Sequence, residues 1–194
     1  VDMTDLLAYR KELKERGEAY TVTDFILEAV VLSLLEHPIV NSMTDGLTVR
    51  WRGSVALGMA VSLDDGLVVP AIRNAEALSM RELHDAAKAL AEKARAGRLL
   101  PDEMTGSTFT VSNMGMMNVE NFHAIINPGE GAILAVASTI PQPVVRDGKI
   151  VVRSIMKMTL SVDHRIVDGS NAANFANMVK AKLEDVQLWK SLTL

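Results

Sequence analysis

Apolar residues recur at helical spacing over residues 4–16, where Leu6, Leu7, Tyr9 and Leu13 share one side and the charges take the other. Gly17 is the predicted stop. Thr21 and Thr23 are candidate caps for a second helix, with Phe25, Ile26, Val30, Val31, Leu34 and Leu35 as its buried face and an end near Pro38. The pattern then changes to strand signals. Residues 39–43 and 47–51 flank the turn Thr44-Asp45-Gly46; residues 55–63 and 67–72 flank Asp64-Asp65-Gly66. Ser79-Met80-Arg81-Glu82 is a capping box that opens a helix through Leu83, Ala86, Ala87, Leu90 and Ala94 to Gly97. Strands are predicted at 107–112 and 132–138, with a glycine- and methionine-rich loop between them. A hairpin of Val144-Val145 against residues 150–152 follows, then a strand-like run at 154–162 and a helical pattern over 170–188. Hairpins interspersed with helices predict an α/β, two-layer sandwich, its helices packed on a mixed, mostly antiparallel sheet.

A chain of 194 residues with 48% hydrophobic residues is long enough for one domain with a substantial core and is no candidate for disorder. The net charge of −4 and the scattered basic residues leave no nucleic-acid footprint. Cysteine is absent, which excludes a disulfide framework, a thiolate nucleophile and a thiolate metal cage, and fits a reducing compartment. No secretory-signal pattern opens the sequence. The most apolar stretch, 25–40, carries Glu28, Glu36 and His37 and is too short and interrupted to span a bilayer, so a soluble protein is expected. The 11 methionines read as adaptable core filling.

Candidate chemistry concentrates in Asp163-His164-Arg165-Ile166-Val167-Asp168-Gly169. A histidine stands where a strand is predicted to end, and a carboxylate follows four residues later at the mouth of a helix. Loops at element ends can aim a side chain into a cleft while the elements hold it still. Histidine is also the side chain whose ordinary pKa suits proton transfer near neutral pH. A helix cap or an ion pair with a nearby arginine is the plain alternative for Asp168. Ser112, at the end of its predicted strand, is a candidate donor to a developing oxyanion or a strand-end serine satisfying backbone groups. A serine hydrolase is disfavoured because Ser112 lacks the Gly-x-Ser-x-Gly elbow. A metal held by His164 and Asp168 lacks a third ligand of suitable spacing, so no metal is expected.

The heptad resembles the active-site motif of the 2-oxo acid dehydrogenase acyltransferases (the E2, or dihydrolipoamide acyltransferase, components), which reads His-x-x-x-Asp-Gly preceded by Asp and is shared with chloramphenicol acetyltransferase. Asp64-Asp65-Gly66-Leu67-Val68-Val69-Pro70 is similar to that family's Asp-Gly-Leu-x-x-Pro turn. Residues 106–115, Gly-Ser-Thr-Phe-Thr-Val-Ser-Asn-Met-Gly, are similar to its second signature, and Ala124-Ile125-Ile126-Asn127-Pro128 and Ala132-Ile133-Leu134 to its next blocks. The resemblance implies a chloramphenicol acetyltransferase-like fold and direct acyl transfer between the lipoyl arm and coenzyme A. His164 is then the general base, Asp168 a supporting residue, and Ser112 the donor to the tetrahedral oxyanion. Asp65, Asn113 and His123 are weaker candidates for lining the substrate channel. His37 is expected to cap a helix end, and His84 to lie on an exposed helix face.

The same resemblance implies a homotrimer that builds a larger cubic or dodecahedral core, with the active site between two subunits. Coenzyme A is the acyl acceptor, and the lipoyl group comes from outside this chain. Residues 1–194 read as the acyltransferase catalytic domain alone, without the lipoyl domain, the peripheral-subunit-binding domain or the N-terminal arm. The E1 and E3 components would bind through those absent domains; no nucleic acid and no membrane are implied. The expected location is the cytoplasm of a bacterium or archaeon, or the mitochondrial matrix. The loop sequence, with its apolar, Met-rich wall, favours acetyl over branched-chain or succinyl groups. The rival readings are a non-catalytic structural scaffold of the complex and an antibiotic acetyltransferase.

Overall fold

Thr21 starts the helix around which the core is assembled. In the computed structural model, which describes residues 1–193, its hydroxyl accepts from Asp24 N–H while the Asp24 carboxylate accepts from Thr21 N–H, a reciprocal capping box. The helix, α2 (Val22–Glu36), buries Phe25, Ile26, Leu27, Val30, Val31 and Leu34. It packs against α3 (Met80–Arg95) and α4 (Gly169–Glu184). The amphipathic α1 (Thr4–Glu15) and the short α5 (Val186–Leu192) close the helical layer, with Trp189 fully buried edge-on against Phe25. Among the described residues no helix is long and apolar enough to cross a membrane.

The helices lie on a five-stranded sheet in the order β6 (Ala71–Ile72), β3 (Leu57–Met59), β7 (Phe109–Asn113), β8 (Ala132–Arg146), β9 (Lys149–Val162). The pairs β3–β7 and β7–β8 are parallel; β3–β6 and β8–β9 are antiparallel. Two small antiparallel ribbons, β1 (Ser42–Thr44) with β2 (Val49–Trp51) and β4 (Val61–Leu63) with β5 (Gly66–Val68), complete a mixed sheet system in which antiparallel pairs predominate. The first seven residues of β8 are all buried, because both faces are covered. Met158, Leu160 and Val162 of β9 pack on the core. The alternate residues Thr159 and Ser161 donate to Asn121 Oδ1 and Ala124 O of the segment 114–131, which crosses the opposite face.

Several elements differ from the sequence expectation. The apolar run 55–63 is two strands: β3 belongs to the main sheet, whereas β4 leaves it after Ala60 to pair with β5 across Asp64-Asp65. The predicted strand 132–138 and the hairpin near Asp147-Gly148 are one long ribbon, β8–β9, paired from Ala132↔Val162 to Arg146↔Lys149 with a register shift between Val136 and Thr139. The last helix breaks at Asp185, whose carboxylate accepts from the N–H groups of Gln187 and Leu188 and so starts α5 instead of continuing α4. His84 is not on an exposed face. It is buried, with Nδ1 2.7 Å from Asp24 Oδ2 and Tyr20 edge-on over its ring. Helical spacing alone hid this, because the capping carboxylate of α2 supplies a polar partner inside the layer.

Candidate active site

β9 ends at Val162, and the chain turns sharply through residues 163–167. The turn is fixed at four points. Asp163 N–H donates to Gly131 O at 2.8 Å, and Ile166 and Val167 N–H both fold back to Asp163 O at 2.9 and 3.0 Å. The Asp163 carboxylate receives Arg165 Nε at 2.9 Å and Nη2 at 2.6 Å. Arg165 holds that carboxyl below its ordinary pKa. Val167, fully buried, anchors the turn in the core. His164 is thereby left exposed on a rigid support, and among the described residues no side-chain hydrogen bond engages its ring.

Asp168 caps α4. Its side chain accepts from Asn171 N–H at 2.7 Å, and that bond holds its carboxyl below the usual carboxylate range. The first turn of α4 is fixed in turn to the end of α2, where His37, the C-cap residue, sets Nε2 3.1 Å from Asn171 Oδ1. Asp168→Ala is therefore expected to lower the urea midpoint of unfolding and Asp168→Asn to leave it unchanged, since an amide oxygen can take the same bond. Equal midpoints for the two variants would show that the cap bond is immaterial.

Ser112 stands half-buried near the end of β7. Its neighbour Asn113 is committed elsewhere: Oδ1 accepts from Gly115 N–H at 2.7 Å and Nδ2 donates to Thr23 Oγ1 at 3.1 Å. Asn113 thus sets the turn after β7 against the start of α2. The register fixes how far Ser112 lies from His164. Ser112 pairs with Ala135, and Ala135 with Thr159, five residues before His164. At ~3.3 Å per residue along the sheet, with two strand spacings of ~4.8 Å across it, the two residues sit at opposite ends, roughly 15 Å or more apart. One chain does not bring them together.

The remaining candidates are dispersed. Asp65 is exposed at the tip of the β4–β5 hairpin and His123 is exposed in the segment crossing the sheet. Met116 and Met117 are also exposed, at 94% and 63%, so within a single chain they form no wall around a substrate. A cleft of about 330 Å³ opens beside the 163–167 turn, lined by Asp163 and Arg165 together with Thr44, Asn127, Gly129 and Glu130. Among the described residues, no group of three or more His, Cys, Asp or Glu is placed to hold a metal.

Besides Asp2 and Asp24, sequence reasoning overlooked the burial of two further carboxyls. Glu130, which adjoins the cleft, takes three hydrogen bonds into Oε1: from Ser107 Oγ at 2.5 Å, Thr110 Oγ1 at 2.8 Å and Asn127 Nδ2 at 3.3 Å. Its other oxygen is buried without a partner. Burial raises its pKa against the lowering effect of those three bonds. The available signal was its position, two residues before the fully buried run at 132–137 and level with the hydroxyl-bearing residues that lead into β7. Glu28 is the second, inside the apolar face of α2.

Residues 1–190 match the family described as 2-oxoacid dehydrogenases acyltransferase (catalytic domain). The acetyltransferase component of the acetoin cleaving system of Bacillus subtilis is 41% identical over 189 residues, 95% of this chain and 48% of that protein. The corresponding component of the pyruvate dehydrogenase complex of the same organism is 36% identical over 194 residues, 97% of this chain and 44% of its own length. The chain thus spans slightly under half of these curated relatives. Among solved structures, the dihydrolipoamide acetyltransferase of Azotobacter vinelandii superposes with a TM-score of 0.90 at 36% identity, covering 100% of this chain and 81% of that one. A chloramphenicol acetyltransferase, 14% identical with a TM-score of 0.61 over 90% of this chain and 82% of its own, shares the fold. The chain belongs to the catalytic-domain family of the 2-oxo acid dehydrogenase acyltransferases.

Proposed function

We propose that this chain is the acyltransferase domain of a dihydrolipoamide acyltransferase, moving an acetyl group between the lipoyl arm and coenzyme A. One observation carries the reading: His164 projects from a turn fixed at four points, exposed, while Ser112 lies out of its reach in the same chain, so a site that uses both groups needs a second copy. The catalytic mechanism of the A. vinelandii enzyme has been investigated at a serine, a histidine and an asparagine spaced 52 and then four residues apart. Ser112, His164 and Asp168 have the same spacing. Asparagine in the third place cannot take a proton as a carboxylate can, yet caps a helix equally well. That supports a positioning role for Asp168 through the start of α4.

The chemistry follows from the side chains. As the coenzyme A sulfur bonds to the thioester carbonyl carbon, its proton passes to the neutral imidazole of His164, and the carbonyl electrons move onto oxygen. The Ser112 hydroxyl of a neighbouring copy donates to that oxyanion. When the carbonyl re-forms, the bond to the lipoyl sulfur breaks and the departing sulfur takes the proton back from the imidazolium. The reverse transfer uses the same groups with the thiols exchanged.

Assembly into a trimer, and of trimers into a larger core, satisfies the need for a second chain. The cubic core of the pyruvate dehydrogenase multienzyme complex superposes on this chain with a TM-score of 0.90 at 36% identity. The lipoyl domain and the E1 and E3 components would be engaged through other domains, in a bacterial cytoplasm or an organelle matrix. Acetyl is favoured by the acetoin- and pyruvate-type relatives, although a succinyltransferase of Haemophilus influenzae is also 37% identical over 190 residues, covering 95% of this chain and 46% of that protein. Rates with acetyl-, isobutyryl- and succinyl-dihydrolipoamide as donors to coenzyme A test both claims. The expected order places acetyl first by at least about tenfold over succinyl. No turnover with any donor refutes the enzyme; succinyl in first place refutes the acyl preference alone.

A further inference from the structure

Glu130 is a buried carboxyl that the acyl-transfer chemistry leaves without a task. Its unpartnered oxygen is a cost, and what distinguishes it from Glu28 is the three hydrogen bonds gathered by its other oxygen. Ser107 and Thr110 donate to Oε1 from the β7 side, and Asn127 donates from the loop that precedes β8. Asn127 Nδ2 also donates to Thr110 Oγ1 at 2.9 Å, and Glu130 N–H donates to Asn127 O at 3.1 Å. One carboxyl oxygen therefore ties the loop to the strand that carries Ser112. The next residue, Gly131, offers the carbonyl that receives Asp163 N–H, immediately before His164. Gly131 has no slack: a Cβ there would sit 2.5 Å from the Ser42 carbonyl oxygen. Gly58, opposite Thr110 in the parallel ladder, leaves the space that the Thr110 hydroxyl occupies.

We propose that Glu130 is a positioning residue for acyl transfer, an internal acceptor that fixes the 127–131 loop and thereby the height and direction of the His164 turn. The inference rests on the acyltransferase reading. It requires the acceptor oxygen and not a negative charge, so the amide isostere should substitute for the acid. Misplacing a reacting group by about 1 Å can cost on the order of 10²-fold in rate, whereas substrate binding far from the turn is untouched.

Steady-state kinetics of the assembled protein, combined with hydrogen exchange at the Asp163 amide, tests it. Glu130→Ala is expected to lower kcat by roughly 10- to 100-fold with both KM values within about threefold, and to speed Asp163 exchange by at least about tenfold. Glu130→Gln should restore kcat and exchange to near the wild-type values. If Glu130→Ala does not fold, Thr110→Val, which removes one of the three donors, decides: a partial loss of kcat with faster Asp163 exchange is expected. Wild-type kcat and exchange in Glu130→Ala, or in Thr110→Val where that variant decides, overturns the proposal. So does a Glu130→Gln variant as impaired as Glu130→Ala, because a charge would then be required. An inactive wild type would instead refute the acyltransferase reading itself.

Discussion

His164→Ala is expected to abolish acyl transfer to within the background rate, a fall on the order of 10²–10⁴-fold, while the oligomeric state and the urea midpoint stay unchanged. The exposure of the ring is the reason for the separation. Replacing an exposed side chain that makes no hydrogen bond among the described residues removes little from the fold. Ser112→Ala is expected to cost on the order of 10²–10³-fold, the loss of one oxyanion donor under the proposed mechanism. The geometry adds a stricter expectation. Because one chain places Ser112 and His164 at opposite ends of the sheet, co-expressed Ser112→Ala and His164→Ala chains should together recover activity that neither has alone. Random pairing between chains gives about a quarter of the sites both intact groups, whereas a site built within one chain would give none. Turnover of the co-expressed pair no greater than that of the separate variants would refute the shared site, and an active His164→Ala would refute the general base.

Much of this was legible in the sequence, and what was not has a physical cause. The helix start at Ser79 was readable because a capping box is a local, side-chain-to-backbone contract within four residues, whereas for α2 the sequence offered both Thr21 and Thr23 and the structure selects Thr21. The motif histidine was readable because an apolar alternating run, a turn and a helix start follow one another without interruption. The length of the β8–β9 ribbon was not, because Pro141 and Pro143 lie inside it and read as breakers. They are tolerated where β8 runs past β7, which pairs only as far as Val136. The Asp24–His84 pair was invisible because its members are 60 residues apart, and each looks like an ordinary surface residue of its own helix. The separation of Ser112 from His164 depends on register across three strands, which no local pattern encodes. The same holds for Glu130, whose three donors come from two segments that meet only in the folded chain.

Glu28 supplies the largest effect expected on stability. It lies at 5% exposure within the apolar face of α2, with Oε2 unpartnered, and burial pushes its carboxyl up to about 7 from an ordinary 4.5. A raised folded-state pKa means that the native state holds the proton more tightly than the unfolded chain. The associated stability is fully present below pH 4.5 and is lost as pH rises through 7. A shift of this size corresponds to about 3 kcal/mol between those limits. Glu28→Gln cannot ionise, so the variant should match the wild type within about 1 kcal/mol at pH 5 and exceed it by about 2 kcal/mol at pH 8, after allowing for an imperfectly bonded amide. Glu130, raised in the same direction, remains in both proteins and cancels in the difference. Urea unfolding of the two proteins at equal protomer concentration reads the effect, since assembly also contributes to apparent stability. If the two pH–stability profiles ran parallel from 5 to 8, the carboxyl would be paired or solvated in the assembled protein, and its burial in α2 would carry no energetic cost.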